Sequence, residues 1–138
     1  MKRAHGWDFA MALAVSLATG CSEEPEAAAV PELSVGEVAG LLEQDEAVAV
    51  DANGASTRDE HGVIPGAVLL SSSGSYDPSE LPSDPSTSLV FYCANTDCRA
   101  SDGAAERARE HGYEDVKVMR AGIAGWVEAG HETARPSS

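Results

Sequence analysis

The segment Leu89–Tyr92 constrains the fold of this chain more than any other, because its residues are all apolar and Cys93 follows them directly. A continuous apolar run of this length is typical of a central strand in a parallel sheet, where both faces of the strand are covered. Similar short runs at 47–50, 67–70 and 116–119 predict three further strands. Cys93 is thus expected at the carboxyl end of the most central strand.

The stretches between these strands carry helix signals. Ser34 followed by Glu37 is a capping box before an apolar helical face. A second helix is predicted to end near Gly112, and a short one is predicted over 123–129. Residues 71–87 are rich in serine, proline and acids and predict a long surface loop with one helical turn. The alternation of helix and strand indicates an α/β fold with a central, mainly parallel sheet flanked by helices.

The loop after Cys93 is the expected site of chemistry, because α/β folds bind ligands at the carboxyl ends of their strands. Backbone N–H groups of such a loop and the positive end of the next helix converge on one point. A thiolate there is stabilised, so we expect Cys93 to be the nucleophile and its pKa to lie below that of an ordinary thiol. Ser101 or a neighbouring residue is predicted to be the N-cap of the next helix, with Ser101 as the simplest choice.

The same amides would hold a bound oxyanion or a terminal sulfur, with Arg99 as a forked positive charge. The candidate substrate-binding residues are therefore Ala94, Asn95, Thr96, Asp97, Cys98 and Arg99.

Several segments, in this order and spacing, resemble the rhodanese homology domain. Gly62–Ala67 is similar to the Gly-His-Ile-Pro-Gly-Ala signature of that family. The other matching segments are Asp51 after the first strand, Val90–Cys93, the helix and turn from Ala104 to Tyr113, and Gly122–Trp126 followed by Ala129-Gly130. The resemblance runs from Leu33 to about Glu132 and predicts a rhodanese-like domain over residues 32–133.

The resemblance implies a sulfurtransferase of the thiosulfate:acceptor type. In such enzymes the loop cysteine, here Cys93, accepts a sulfane sulfur from a small donor, becomes a persulfide, and passes the sulfur to a thiol acceptor. Two successive displacements imply ping-pong kinetics. No cofactor is expected.

The chain departs from the family pattern in ways that leave a second enzyme class open. Val63 replaces the usual histidine, and Asn53 stands where an arginine usually follows the aspartate. The Cys93–Arg99 loop is longer than is common in sulfurtransferases, and its Cys-x5-Arg spacing resembles the phosphatase and arsenate-reductase branch of the same fold. Tyr92, however, replaces the histidine usual before that cysteine. A phosphatase or arsenate-reductase-like enzyme is therefore the alternative.

A second loop thiol leaves a non-enzymatic alternative open. Cys98 lies close enough along the chain to form a disulfide with Cys93 outside the cytosol. We predict that Cys98 is a redox or resolving partner, with an inert loop thiol as the competing interpretation. A non-catalytic rhodanese-like binding or thiol-redox module is consistent with such a pair. No metal site is expected, because no histidine cluster accompanies the cysteines.

The N-terminal residues resemble a bacterial lipoprotein signal peptide over 1–20, with a basic start, a short apolar run and small residues before Cys21. The resemblance implies a lipid on Cys21 that anchors the chain to a membrane of the cell envelope, facing outside the cytoplasm. Ordinary secretion and cytosolic retention are the alternatives. Residues 21–31 read as an acidic flexible tether and residues 134–138 as a frayed tail.

The composition of the chain limits the classes of partner that it is expected to bind. The chain has 23 acidic and 9 basic residues and a formal charge of −14. Nucleic acid is therefore not expected as a partner, because its phosphates would be repelled. The sequence identifies no protein partner.

Overall fold

The computed structural model describes residues 29–136. The predicted signal peptide, the lipidation site Cys21, residues 22–28 of the predicted tether and residues 137–138 lie outside the described residues. Within residues 29–136, no helix is long and apolar enough to cross a membrane.

A four-stranded parallel sheet forms the centre of the domain. Its strands are β1 (Val48–Asp51), β2 (Val68–Leu69), β3 (Leu89–Tyr92) and β4 (Val116–Met119), in the order β2-β1-β3-β4. All residues of β3 are buried between β1 and β4, which confirms the predicted central strand. β2 is shorter than its apolar run predicted.

Four helices flank the sheet: α1 (Val35–Glu43), α2 (Ala55–His61), α3 (Ala100–Glu110) and α4 (Gly122–Glu128). The Ser34 hydroxyl accepts a hydrogen bond from the Glu37 N–H at 3.2 Å, so the predicted N-cap of α1 is confirmed. The helical turn predicted in the long loop is a 3₁₀ turn at Pro78–Glu80. The sequence analysis missed α2, because none of its residues is buried and it therefore has no apolar periodicity.

Alternate residues of β3 face two separate apolar cores, one on each side of the sheet. Leu89 and Phe91 pack in the core that contains the alanines of α3. Val90 and Tyr92 pack in the core that contains residues of α1 and α4. Both faces of the strand are therefore covered, as the predicted α/β class requires.

The C-terminal segment corrects one predicted boundary. Ala134 was expected in a frayed tail, but it pairs with Val63 in an antiparallel bridge. Its N–H donates to the Val63 carbonyl at 2.8 Å, and the Val63 N–H donates to the Ala134 carbonyl at 2.9 Å. These two hydrogen bonds tie the chain to the body of the domain at least as far as Ala134.

Candidate active site

Cys93 lies at the carboxyl end of β3, where the loop to α3 begins, and it is 1 % exposed. The first turn of α4 holds the base of this loop. The Ile123 N–H donates to the Cys93 carbonyl at 2.8 Å, and the Ala124 N–H donates to the Ala94 carbonyl at 3.0 Å. Two amides at a helix N-terminus, which have no partner within their own helix, are thereby satisfied by the loop.

A tight turn folds the loop back over Cys93. The Cys98 N–H donates to the Asn95 carbonyl at 3.1 Å, and the Asp97 N–H donates to the Asn95 side-chain oxygen at 3.0 Å. The turn brings the Cys98 carbonyl to 3.2 Å from the Cys93 sulfur, which donates its S–H to it. Asn95, Thr96 and Asp97 are exposed at the tip of the turn. The amides of Asp97 and Cys98, predicted to bind substrate, are thus used within the loop itself.

Ser101 has a different position from the one predicted. The N-cap of α3 is Arg99, which makes no side-chain capping bond, and Ser101 lies inside the first turn of the helix. The Ser101 side chain is buried and its hydroxyl oxygen is 3.4 Å from the Cys93 sulfur. Ser101 itself is therefore not the cap, as the simplest form of the prediction had it, and the residue instead contacts the candidate nucleophile.

The pKa of Cys93 shifts in the direction opposite to the prediction. Burial raises the pKa of Cys93 above its ordinary value, and donation of its S–H to Cys98 raises it further, whereas hydrogen bonds from the hydroxyl and the N–H of Ser101 act to lower it. Burial also acts to raise the pKa of Cys98. However, hydrogen bonds from Cys93 and from the N–H groups of Ala94 and Ala100 more than offset it, and the pKa of Cys98 is lowered. The N–H groups of this region are therefore divided between the two cysteines.

The acidity of each thiol depends on the other, because the Cys93 S–H is donated to Cys98. The thiolate is the reactive form of a cysteine, so Cys93 must lose the proton that it donates to the Cys98 carbonyl before it can attack a donor. The contact with Cys98 therefore controls the availability of Cys93 as a nucleophile.

Arg99 is directed away from the loop amides. Its side chain is 73 % exposed, and its guanidinium lies 3.4 Å from the Asp102 carboxylate. Asp102 also binds Arg120 through two hydrogen bonds of 2.8 and 3.1 Å. In an oxyanion clamp of the Cys-x5-Arg kind, the arginine side chain lies over the loop and binds the oxyanion. Here Arg99 and Arg120 both bind the Asp102 carboxylate at the start of α3.

The Asp102 carboxylate should make stability depend on pH. The hydrogen bonds from Arg120 hold the pKa of Asp102 below its ordinary value. A lowered pKa in the folded state stabilises the protein above the ordinary carboxyl pKa, and this stabilisation is lost as the pH falls through the folded value. We therefore expect Asp102→Asn to lower the free energy of unfolding at pH 7, with the difference from wild type shrinking towards pH 2.

Urea denaturation at both pH values measures this effect, and Asp59→Asn, an exposed acid on α2, is the control. If Asp102→Asn lowers the free energy of unfolding by the same amount at pH 7 and at pH 2, the charge of Asp102 is not what stabilises the protein.

A buried network around the Asp51 carboxylate joins the end of β1 to α2 and β3. Arg58 of α2 lies 3.2 Å from the Asp51 carboxylate and donates to the carbonyls of Asp51 and Leu70 at 3.0 and 2.9 Å. The hydroxyl of Tyr92 donates to the same carboxylate at 2.6 Å and accepts from the Ile64 N–H at 3.0 Å. Asn53 stands where the usual arginine was expected, and Arg58 was not predicted in its place.

A parallel sheet with a cysteine loop at the end of its central strand, closed by the N-terminus of a later helix, defines an α/β domain of the rhodanese type. The family model of the rhodanese-like domain matches residues 34–129, and the chain belongs to this family. The predicted family and fold are thereby confirmed. No curated protein matches the chain in sequence.

Solved structures show the same fold. The thiosulfate sulfurtransferase of Pseudomonas aeruginosa is 27 % identical with a TM-score of 0.63, covering 79 % of this chain and 21 % of that one. A human single-domain sulfurtransferase is 22 % identical with a TM-score of 0.56, covering 72 % and 96 %. A Rhodopseudomonas palustris protein of unknown function, described as a possible tyrosine phosphatase, is 22 % identical with a TM-score of 0.63, covering 76 % and 85 %. The last two likenesses concern the fold alone.

Proposed function

We propose that this domain is a rhodanese-like sulfurtransferase that carries a sulfane sulfur as a persulfide on Cys93. The observation that carries the proposal is the position of Cys93 at the carboxyl end of β3, at the base of a loop held by the amides of α4. The family match and the likeness to a thiosulfate sulfurtransferase support the same activity.

The reaction consists of two displacements at sulfur. The Cys93 thiolate attacks the outer sulfur of a donor such as thiosulfate, a new S–S bond forms, and the donor's S–S bond breaks with its electron pair leaving on sulfite. An acceptor thiolate then attacks the terminal sulfur of the persulfide and releases the Cys93 thiolate. Cys98 accepts the proton of Cys93 in the first step, because Cys98 already contacts the Cys93 sulfur.

Access to Cys93 requires the loop to open. The thiol is buried beneath the Cys98 carbonyl, whereas Asn95, Thr96 and Asp97 are exposed at the loop tip. The turn that covers Cys93 is held by the two hydrogen bonds to Asn95, so it can separate from the sulfur without unfolding β3 or α3.

The position of Arg99 argues against the phosphatase alternative. Its pairing with Asp102 leaves the loop without the arginine clamp that a phosphate oxyanion needs.

Mass spectrometry tests the proposal. Reduced Cys98→Ser protein is incubated with thiosulfate, and we expect the addition of one sulfur atom to the peptide that carries the loop. Trypsin leaves Cys93 and Cys98 on the same peptide, which ends at Arg99, so variants must locate the adduct. The adduct should be absent in Cys93→Ser and present in Cys98→Ser. An adduct in Cys93→Ser but not in Cys98→Ser would overturn the assignment of the nucleophile.

A further inference from the structure

Two cysteines belong to one loop, and the sulfur transfer proposed above uses one of them as the sulfur carrier. Cys98 is partly buried, and the turn from Asn95 places it beside Cys93. The Cys93 sulfur is 3.2 Å from the Cys98 carbonyl oxygen, and the Cys98 side chain packs against the apolar cluster that contains Cys93. The loop therefore fixes Cys98 next to the sulfur carrier.

We propose that Cys98 is a resolving thiol that discharges the Cys93 persulfide inside the domain, releasing hydrosulfide and leaving a Cys93–Cys98 disulfide. The inference rests on the proposed function, because it starts from a persulfide on Cys93. It adds a second product: the sulfane sulfur leaves as hydrosulfide rather than staying bound until an acceptor arrives.

The step balances without an added oxidant. Cys98 holds the proton that it took from Cys93 and passes it to the terminal sulfur of the persulfide anion. The Cys98 thiolate then attacks the inner sulfur, which is the Cys93 sulfur, and the Cys93–Cys98 bond forms. The bond to the terminal sulfur breaks, and that sulfur leaves with the electron pair and the transferred proton as hydrosulfide. The sulfane sulfur is reduced, and the two thiols are oxidised to a disulfide. An external dithiol reductant restores both thiols by thiol–disulfide exchange.

The geometry favours attack on the inner sulfur. Attack on the terminal sulfur would only move the sulfane sulfur from one cysteine to the other. The Cys93 sulfur lies 3.2 Å from the Cys98 carbonyl oxygen and in the same apolar cluster as the Cys98 side chain, so the inner sulfur is the target that the loop holds beside Cys98. Two groups held side by side react far faster than the same groups free in solution. The internal step is therefore expected to precede transfer to a dilute external thiol.

A single-turnover experiment tests the proposal in the full chain carrying Cys21→Ser, so that Cys93 and Cys98 are the remaining cysteines. Reduced protein, freed of external thiol, is mixed with thiosulfate. Hydrosulfide is trapped with a bimane reagent, and free thiols are counted. We expect about one hydrosulfide per chain and the loss of both thiols, and then repeated turnover when a dithiol is added.

Cys98→Ser is the decisive variant, with Cys98→Ala as a second and circular dichroism as the check on folding. Both should hold a stable persulfide on Cys93 and release less than about a tenth of the wild-type hydrosulfide. A stable persulfide in the parent chain, or equal hydrosulfide release from Cys98→Ser, would overturn the resolving role and leave the sulfurtransferase intact. If neither the parent nor Cys98→Ser takes up sulfur, the proposed function fails and the resolving step fails with it.

Discussion

Cys93→Ser is expected to lower kcat/KM for sulfur transfer from thiosulfate by at least about a thousandfold, because a serine hydroxyl cannot form the persulfide on which the reaction depends. The Cys93 thiol lies at the end of β3, with its sulfur against Cys98 and Ser101. Neither the Cys98 nor the Ser101 side chain occupies the position of the Cys93 thiol. Steady-state transfer from thiosulfate to cyanide, measured as thiocyanate at a cyanide concentration high enough to intercept the persulfide before the internal step, gives the rate.

The loss in Cys93→Ser should not come from unfolding. A serine hydroxyl at this position can donate to the Cys98 carbonyl as the thiol does, so the loop keeps its closing contact. We therefore expect a far-ultraviolet spectrum and a melting temperature close to those of wild type. Cys98→Ser is the matched variant and should keep part of the transfer to cyanide, because it retains Cys93. Transfer by Cys93→Ser within about tenfold of wild type would show that this thiol is not the sulfur carrier.

The strand that leads to the nucleophile could be predicted, because its formation depends on residues that are adjacent in sequence. Leu89–Tyr92 is apolar throughout, and such a run is stable only where both faces are covered, which makes it an interior strand. The position of the strand's carboxyl end in the sheet is then fixed, and Cys93 is the next residue in the chain. The Ser34 cap is equally local, since it depends on the N–H of a residue three positions later.

The identity of the acidic thiol could not be predicted, because it depends on contacts distant in sequence. The position at which the turn closes decides which cysteine each loop amide faces. The base of the loop is held by Ile123 and Ala124 of α4, which follows β4 in the chain. The sequence pattern of residues 93–101 contains no sign of these contacts. The helix dipole suggested a lowered pKa for Cys93, but burial beneath the turn outweighs it.

The partner of Asp51 was missed for a related reason. Arg58 reaches the carboxylate only because α2 turns back after Asn53, and α2 itself has no buried face to reveal it. The sequence shows an aspartate without its usual arginine, whereas the fold supplies the charge from the next helix. A buried carboxylate needs such a partner, so an arginine in the following segment was the signal available.

Gly122→Ala is expected to destabilise the domain by about 3 kcal/mol or more, because two separate penalties fall on the same residue. Gly122 has φ of +67°, a conformation that L side chains rarely adopt. A Cβ atom there would lie 2.6 Å from the Cys93 carbonyl oxygen and 2.6 Å from the Ala94 carbonyl carbon. Both neighbours are backbone and cannot move aside without breaking the hydrogen bonds from Ile123 and Ala124. The loop that carries Cys93 should therefore be displaced as the stability falls.

Two other glycines separate the penalties. Gly112 has φ of +94° with nothing within 4 Å of an added Cβ, so Gly112→Ala carries conformational strain alone, about 1–2 kcal/mol. Gly40 lies within α1 with open space around it, so Gly40→Ala should stabilise by about 0.5–1 kcal/mol. Urea unfolding of the three variants gives the order directly. A Gly122→Ala deficit no larger than that of Gly112→Ala would mean that the close approach of α4 to the loop is not what holds Cys93 in place, since only Gly122 makes that approach.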